Sequence, residues 1–103
     1  MLVPFVFSEE TGRKVRPVLV ISSAGYNRNR QDLIVAAVTS NIRRRLFGDY
    51  MMADWRGAGL LFPSIVNGIL RTIKQTMVER RLGRMADTEM PAFERLLRRA
   101  LAL

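Results

Sequence analysis

The sequence predicts a mainly β fold completed by one C-terminal helix, an α+β arrangement built on a small, strongly curved sheet. Three observations predict it. Short apolar runs rich in Val, Ile and Leu, such as VRPVLVIS at Val15–Ser22 and DLIVAAVT at Asp32–Thr39, are bounded by polar clusters, as half-buried or buried strands are. Helical spacing of apolar residues is clear only after Thr88. The chain has 103 residues, enough for one domain, and strands this short at this spacing fit a barrel-like sheet.

The elements follow in order. Met1–Phe7 is apolar with Pro4 inside it, which suits an edge strand or a strand end. Ser8–Lys14 reads as a polar loop. Val15–Ser22 is a strand, with Pro17 near its start where a missing donor costs least. Ser23–Gln31 reads as a second polar loop, holding Gly25, Tyr26, Asn27, Arg28 and Arg30. Asp32–Thr39 is a buried-type strand, and Arg43–Gly48 a basic loop. Asp49–Asp54 reads as a short strand, Trp55–Gly59 as a turn or brief helix, and Leu61–Val66 as a further strand despite Pro63. In Leu70–Leu82 the residues Thr72, Ile73, Thr76 and Val78 favour strand over helix. Met90, Phe93, Leu96, Leu97, Ala100 and Leu101 then recur on one helical face. Asp87 or Thr88 can cap that helix, and Pro91 in the first turn favours Thr88. Arg95, Arg98 and Arg99 read as its solvated face. There is no internal repeat, low-complexity stretch or linker, so residues 1–103 are expected to form a single domain.

Composition narrows the chemistry. The chain has no cysteine and no histidine, which excludes disulfides, thiolate metal sites and imidazole bases. Catalysis would have to use Arg, Lys, carboxylates, hydroxyls or backbone groups. The net charge is +8, and 15 of the 17 basic residues are arginine, whose planar fork suits phosphate. Residues 11–48 carry eight bases against the single acid Asp32, while the rest of the chain is nearly balanced. Such clustering favours a polyanion-binding face over a general solubility charge. No stretch is long and apolar enough to span a membrane, and the N-terminus lacks the pattern of a signal peptide, so the expected location is cytoplasmic.

Two groups of residues could carry function. Lys14, Arg16 and Pro17 enter the strand VRPVLVIS, where an Arg can aim its fork into a groove; a surface Arg ending a strand is the plainer alternative. Thr39, Ser40 and Asn41 end the strand DLIVAAVT in three small polar side chains, which suits either a functional rim or an ordinary turn. Neither group decides the matter alone.

Their order along the chain is more specific. RPVLVIS, a loop with Tyr26–Asn27, and then LIVAAVTSN resembles the MazF/PemK family of bacterial toxins. Pro63–Ser64, the segment Leu70–Arg71–Thr72–Ile73, and Leu82–Gly83–Arg84–Met85 before the final helix continue the resemblance over essentially the whole chain. The resemblance implies an SH3-like barrel of the CcdB/PemK kind with a C-terminal helix. It also implies the toxin of a type II toxin–antitoxin pair: a homodimeric endoribonuclease cutting single-stranded RNA without a metal or other cofactor, and held by a small acidic antitoxin. By the same resemblance Arg16 and Thr39 are the catalytic pair. Lys14, Ser22, Tyr26, Asn27, Arg28, Ser40, Asn41, Arg43 and Arg44 are the candidate RNA contacts, with bases stacking on Tyr26 or Phe47. The chain begins at Met1–Leu2–Val3–Pro4, inside the family's first strand, so that strand is expected to be shortened. Some members use a Glu ahead of the RP segment, for which Glu9 and Glu10 are candidates, although the loop length differs and assigns neither; Lys74 stands where Asp often follows the RTI segment. Two other readings stay open: a DNA gyrase poison on the same fold, as in the CcdB family, or an inactive RNA-binding remnant. CcdB-like chains end in Trp-Gly-Ile, whereas this one ends Ala100–Leu101–Ala102–Leu103 with its single tryptophan, Trp55, internal.

Overall fold

Strands buried on both faces explain why their sequences read as unbroken apolar runs. The structure is a computed structural model that describes the backbone of Val3–Ser8 and residues 15–103. It holds strands β1 (Val3–Ser8), β2 (Val15–Val20), β3 (Asp32–Thr39), β4 (Tyr50–Met51), β5 (Ile65–Lys74) and β6 (Val78–Arg81), and helices α1 (Ala24–Arg30) and α2 (Met90–Leu101). A short 3-10 turn, Gln75–Met77, separates β5 from β6. The strands form one antiparallel sheet in the order β4-β5-β3-β2-β1-β6.

Side chains alternate across this sheet as the period-two rule requires. Val18 and Val20 of β2 join Leu33, Val35 and Ile73 in one buried cluster. Leu19, on the opposite face, joins Ala36, Val38, Met52, Ala58, Leu60, Val66, Met85 and Phe93. Helix α2 covers that second cluster with Phe93, Met90 and Leu97, and the Phe93 ring meets Tyr50 edge-on with centroids 6.1 Å apart. Among the described residues no helix is long and apolar enough to cross a membrane.

Several expectations are corrected in detail. The barrel is not closed: β4, two residues long, and β6, four, are the two edges of an open sheet and do not pair. Strand β1 is not an edge, since it lies between β2 and β6. Pro4 instead sits beyond the last residue that β6 pairs, Phe5, so the strand-end alternative describes it. Ser23–Gln31 is not a loop but contains α1. Ser23 caps it by accepting from the Tyr26 N–H at 3.2 Å, and Gln31, at φ 59°, closes it with an N–H bond to the Asn27 carbonyl. The strand expected from Leu61 begins only at Ile65, because Pro63 has no N–H and the Ser64 hydroxyl takes the Phe62 carbonyl at 2.7 Å. Glu89, not Thr88, occupies the N-cap of α2. A turn closed by the Glu89 N–H on the Ala86 carbonyl precedes the helix and moves its start by one residue.

Candidate nucleic-acid interface

The pairing of β2 with β3 brings the two sequence-predicted groups together. Val18 faces Ala37, Leu19 faces Ala36 and Val20 faces Val35. The same register continued two residues toward the start of β2 sets Arg16 across from Thr39. Both line one groove of about 740 Å³. Ser40 lines it too. One wall is the segment Gly59–Phe62 together with Ser64; the other is Arg80–Leu82, at the end of β6.

Arg80 and Arg81 were not singled out by their sequence pattern, and strand order explains how they arrive. Arg80 pairs with Val6 of β1, and Val6 pairs with Pro17 of β2. Two strand spacings, about 10 Å, therefore separate the Arg80 backbone from that of Pro17, next to Arg16. Three arginines line the groove, and no acid lines it among the described residues. Such a surface attracts phosphate oxygens through charge and paired donors.

Thr39 serves both readings the sequence left open. Its Oγ1 accepts a hydrogen bond from the Asn41 N–H at 3.1 Å, the local turn bond such residues commonly make. A hydroxyl that accepts still has its own proton to donate. The turn bond therefore aims the hydroxyl and leaves that proton for a ligand in the groove.

The groove walls meet through two glycines. Gly59 has φ +94°, and a Cβ there would lie 2.3 Å from the Leu82 carbonyl oxygen. A Cβ on Gly83 would lie 2.3 Å from the Ala58 carbonyl oxygen. The two walls thus touch backbone to backbone. Gly59→Ala is expected to cost about 2–3 kcal/mol, from the positive φ and the forced separation of the walls. In thermal melts this reads as a fall of roughly 10–15 °C. Gly25→Ala is the control: Gly25 lies in α1, a Cβ there meets only Ser23 Oγ at 3.9 Å, and the melting temperature should hold or rise.

The remaining predicted contacts are dispersed. Asn41 and Arg44 line a second hollow of about 450 Å³ with Leu46, Phe47, Asp49, Asn67, Gly68 and Ile69, and Thr39 borders both hollows. The second hollow forms where β5 bulges. Asn67, Gly68 and Ile69 span the interval that Ala37 alone spans on β3, and Asp49 accepts from the Gly68 N–H at 2.9 Å. Arg43 is exposed on the intervening loop and lines neither hollow. Ser22, Tyr26, Asn27 and Arg28 lie at the opposite end of the β2–β3 pair, about 20 Å along the strand from Arg16. There the Ser22 hydroxyl donates to Asn27 Oδ1 and accepts from the Ile34 N–H, and the Arg30 guanidinium sits 5.3 Å over the Tyr26 ring. Lys14, Glu9 and Glu10 lie outside the described residues.

Comparison with known proteins bears on the family and the fold. The profile of one family, described as the PemK-like, MazF-like toxin of type II toxin–antitoxin systems, matches residues 2–101. Compared with curated proteins, the sequence finds no match. Among solved structures, the fold is similar to toxin MazF-mt6 of Mycobacterium tuberculosis, with a TM-score of 0.83, 22% identity, and 98% of this chain and 97% of that one covered. It is also similar to a mycobacterial endoribonuclease in complex with its cognate antitoxin, with a TM-score of 0.80, 20% identity, and coverage of 98% and 92%. A third likeness is to the MazE–MazF complex of Deinococcus radiodurans, with a TM-score of 0.77, 17% identity, and coverage of 98% and 92%. With the profile spanning nearly all of its length, this chain belongs to the PemK-like, MazF-like toxins of type II toxin–antitoxin systems.

Proposed function

We propose that this toxin is a metal-independent endoribonuclease that cuts single-stranded RNA in the Arg16–Thr39 groove. One observation carries the reading: Arg16 and Thr39 line a single groove with Arg80 and Arg81 and with no acid among its described residues. The endoribonuclease named among the structural neighbours supports it. In the reaction the 2′-oxygen of one nucleotide attacks the adjacent phosphorus, losing its proton. The bond from phosphorus to the 5′-oxygen breaks, and that oxygen takes up a proton. The products are a 2′,3′-cyclic phosphate and a 5′-hydroxyl. Arg16 stabilises the charge that grows on the non-bridging oxygens; its high pKa suits that role better than general base. Thr39 donates its remaining proton to a phosphate oxygen and holds the groups in line.

The antitoxin complexes among the structural neighbours support an antitoxin partner, and the positive groove calls for an acidic one. Exposed apolar side chains at Leu46, Phe47 and Ile69 offer surface for a homodimer. Incubating the purified protein with mixed-sequence RNA in a metal chelator, then mapping the ends, tests the activity. New 5′-hydroxyl and cyclic phosphate ends are expected. Gyrase inhibition with intact RNA would replace this reading with the gyrase-poison one, and salt-dependent binding without new ends would replace it with the RNA-binding remnant.

Salt dependence checks the groove separately. Each phosphate contact on a single strand contributes about 0.7 to the slope of log affinity against log salt. Arg80→Ala and Arg81→Ala are each expected to lower that slope by about 0.7. Arg28→Ala, at the far end of the sheet, should leave it unchanged.

A further inference from the structure

The groove carries an apolar tip that the phosphate chemistry does not use. Leu61 is 83% exposed and Phe62 62% exposed, yet both line the groove with Arg16, Thr39, Arg80 and Arg81. Water-facing side chains of this size are costly unless something covers them in use. The tip is also held in place. Pro63 fixes the backbone after Phe62, and Ser64, only 3% exposed, bonds the Phe62 carbonyl. Before it, Gly59 is pressed against Leu82. A rigid, exposed aromatic ring beside arginines is the combination that binds single-stranded nucleic acid, the base on the ring and the backbone on the cations.

The other aromatic side chains among the described residues are placed differently. Tyr26 lies at the far end of the sheet under Arg30. Phe47 belongs to the second hollow, with the Arg99 guanidinium 5.9 Å from its ring. Tyr50, Phe93 and Trp55 pack in the core. Among the described residues, Phe62 is the aromatic side chain that shares a groove with Arg16.

We propose that Phe62, backed by Leu61, is the nucleobase subsite of this groove, stacking a base of the RNA strand whose phosphate lies between Arg16 and Thr39. The subsite rests on the endoribonuclease reading. A guest of protein chemistry is disfavoured, because the groove that Phe62 lines is also lined by three arginines and by no acid among the described residues, which suits a phosphodiester backbone better than an apolar side chain.

The test uses a short RNA holding one site that the wild type cuts, and a series in which each nucleotide in turn is made abasic. Phe62→Ala is expected to raise KM about 10- to 50-fold, within the roughly 5- to 160-fold that one lost base stack is worth, with kcat changed less than threefold. Phe62→Trp should restore KM to within about threefold. One abasic position should raise the wild-type KM by a similar factor and raise that of Phe62→Ala no further. An unchanged KM in Phe62→Ala overturns the subsite, as does undiminished sensitivity of that variant to every abasic position. A shift in oligomeric mass with unchanged KM overturns it too, in favour of a protein contact. A wild type that leaves all RNA intact overturns the nuclease reading and the subsite with it; a wild type that cuts beside an equally effective Phe62→Ala removes the subsite alone.

Discussion

Arg16→Ala is expected to lower the rate of RNA cutting by about 10²- to 10³-fold and to leave the melting temperature nearly unchanged. The rate loss follows from the arrangement of the groove. Removing one preorganised donor from a developing oxyanion costs about 3–4 kcal/mol of barrier, and Arg16 presents a charged fork rather than a single neutral donor. Arg80 and Arg81 line the same groove and on this reading would still bind phosphate, so the loss should fall mainly on kcat and less on KM. Stability is spared because Arg16 is exposed at the start of β2, outside both buried clusters. Arg16→Lys separates charge from shape: it keeps the positive charge, loses the fork, and is expected to retain only part of the rate. Thr39→Val removes the hydroxyl at nearly constant volume and should cost roughly 10- to 100-fold, since it also releases the turn bond to Asn41. Single-turnover cleavage of a defined RNA measures all three. Wild-type rates in both Arg16→Ala and Thr39→Val would remove the catalytic assignment.

The strands were legible because their chemistry is local. Val18–Val20 and Asp32–Thr39 are apolar, rich in β-branched residues and buried on both faces, and the structure draws β3 with the predicted ends. Helix α2 was legible from the recurrence of Met90, Phe93 and Leu97. Helix α1 was not, for a physical reason. Four of its seven residues, Gly25, Tyr26, Asn27 and Asn29, are weak helix formers, and part of what holds them lies far along the chain: Gln75 donates to the Asn27 carbonyl at 2.6 Å from 48 residues away. That same folding consumes Ser22 and Asn27 in each other's hydrogen bonds. Both side chains are hydrogen-bonded at the end of the β2–β3 pair away from Arg16, a placement that the spacing of residues does not disclose. Arg80 and Arg81 escaped notice for the converse reason. Their role depends on β6 lying beside β1 and β1 beside β2, a long-range order that no window of residues contains. An adjacent arginine pair inside a short strand was the available signal. Phe62 had a fainter one, since Pro63 behind it is what keeps it out of the strand.

Glu89→Ala is expected to destabilise the fold by about 3–5 kcal/mol, the largest stability loss among the substitutions considered. The Glu89 side chain is buried, 6% exposed, and it accepts three hydrogen bonds: from the Tyr50 hydroxyl at 2.7 Å, the Ala53 N–H at 2.5 Å and the Asp54 N–H at 2.9 Å. Truncation removes the charged acceptor from all three donors, and a hydrogen bond to a charged group is worth about 1.5–3 kcal/mol, less where water can replace it, as at the exposed Ala53 and Asp54. Glu89→Gln keeps the volume and one acceptor and should lose less. Tyr50 gives the cluster a signature in pH. Burial, and then the hydrogen bond and charge of Glu89, push its pKa up to about 12, from 10.0 in the unfolded chain. The folded state therefore holds this proton more tightly. Its contribution to stability is full below pH 10 and is lost as pH rises through 12. Urea melts at pH 9 and pH 11.5 should show wild type losing more stability than Tyr50→Phe over that interval, and parallel losses would rule the linkage out. Function follows from the same bonds. Ala53 and Asp54 begin the segment that continues through Gly59 to Phe62, so Glu89 anchors the wall that faces Arg16. Weakening that anchor loosens the groove before the sheet melts. Glu89→Gln should accordingly raise KM for RNA at temperatures where the variant is still folded. An equally destabilising Leu33→Ala, in the cluster on the other face of the sheet, should leave KM alone.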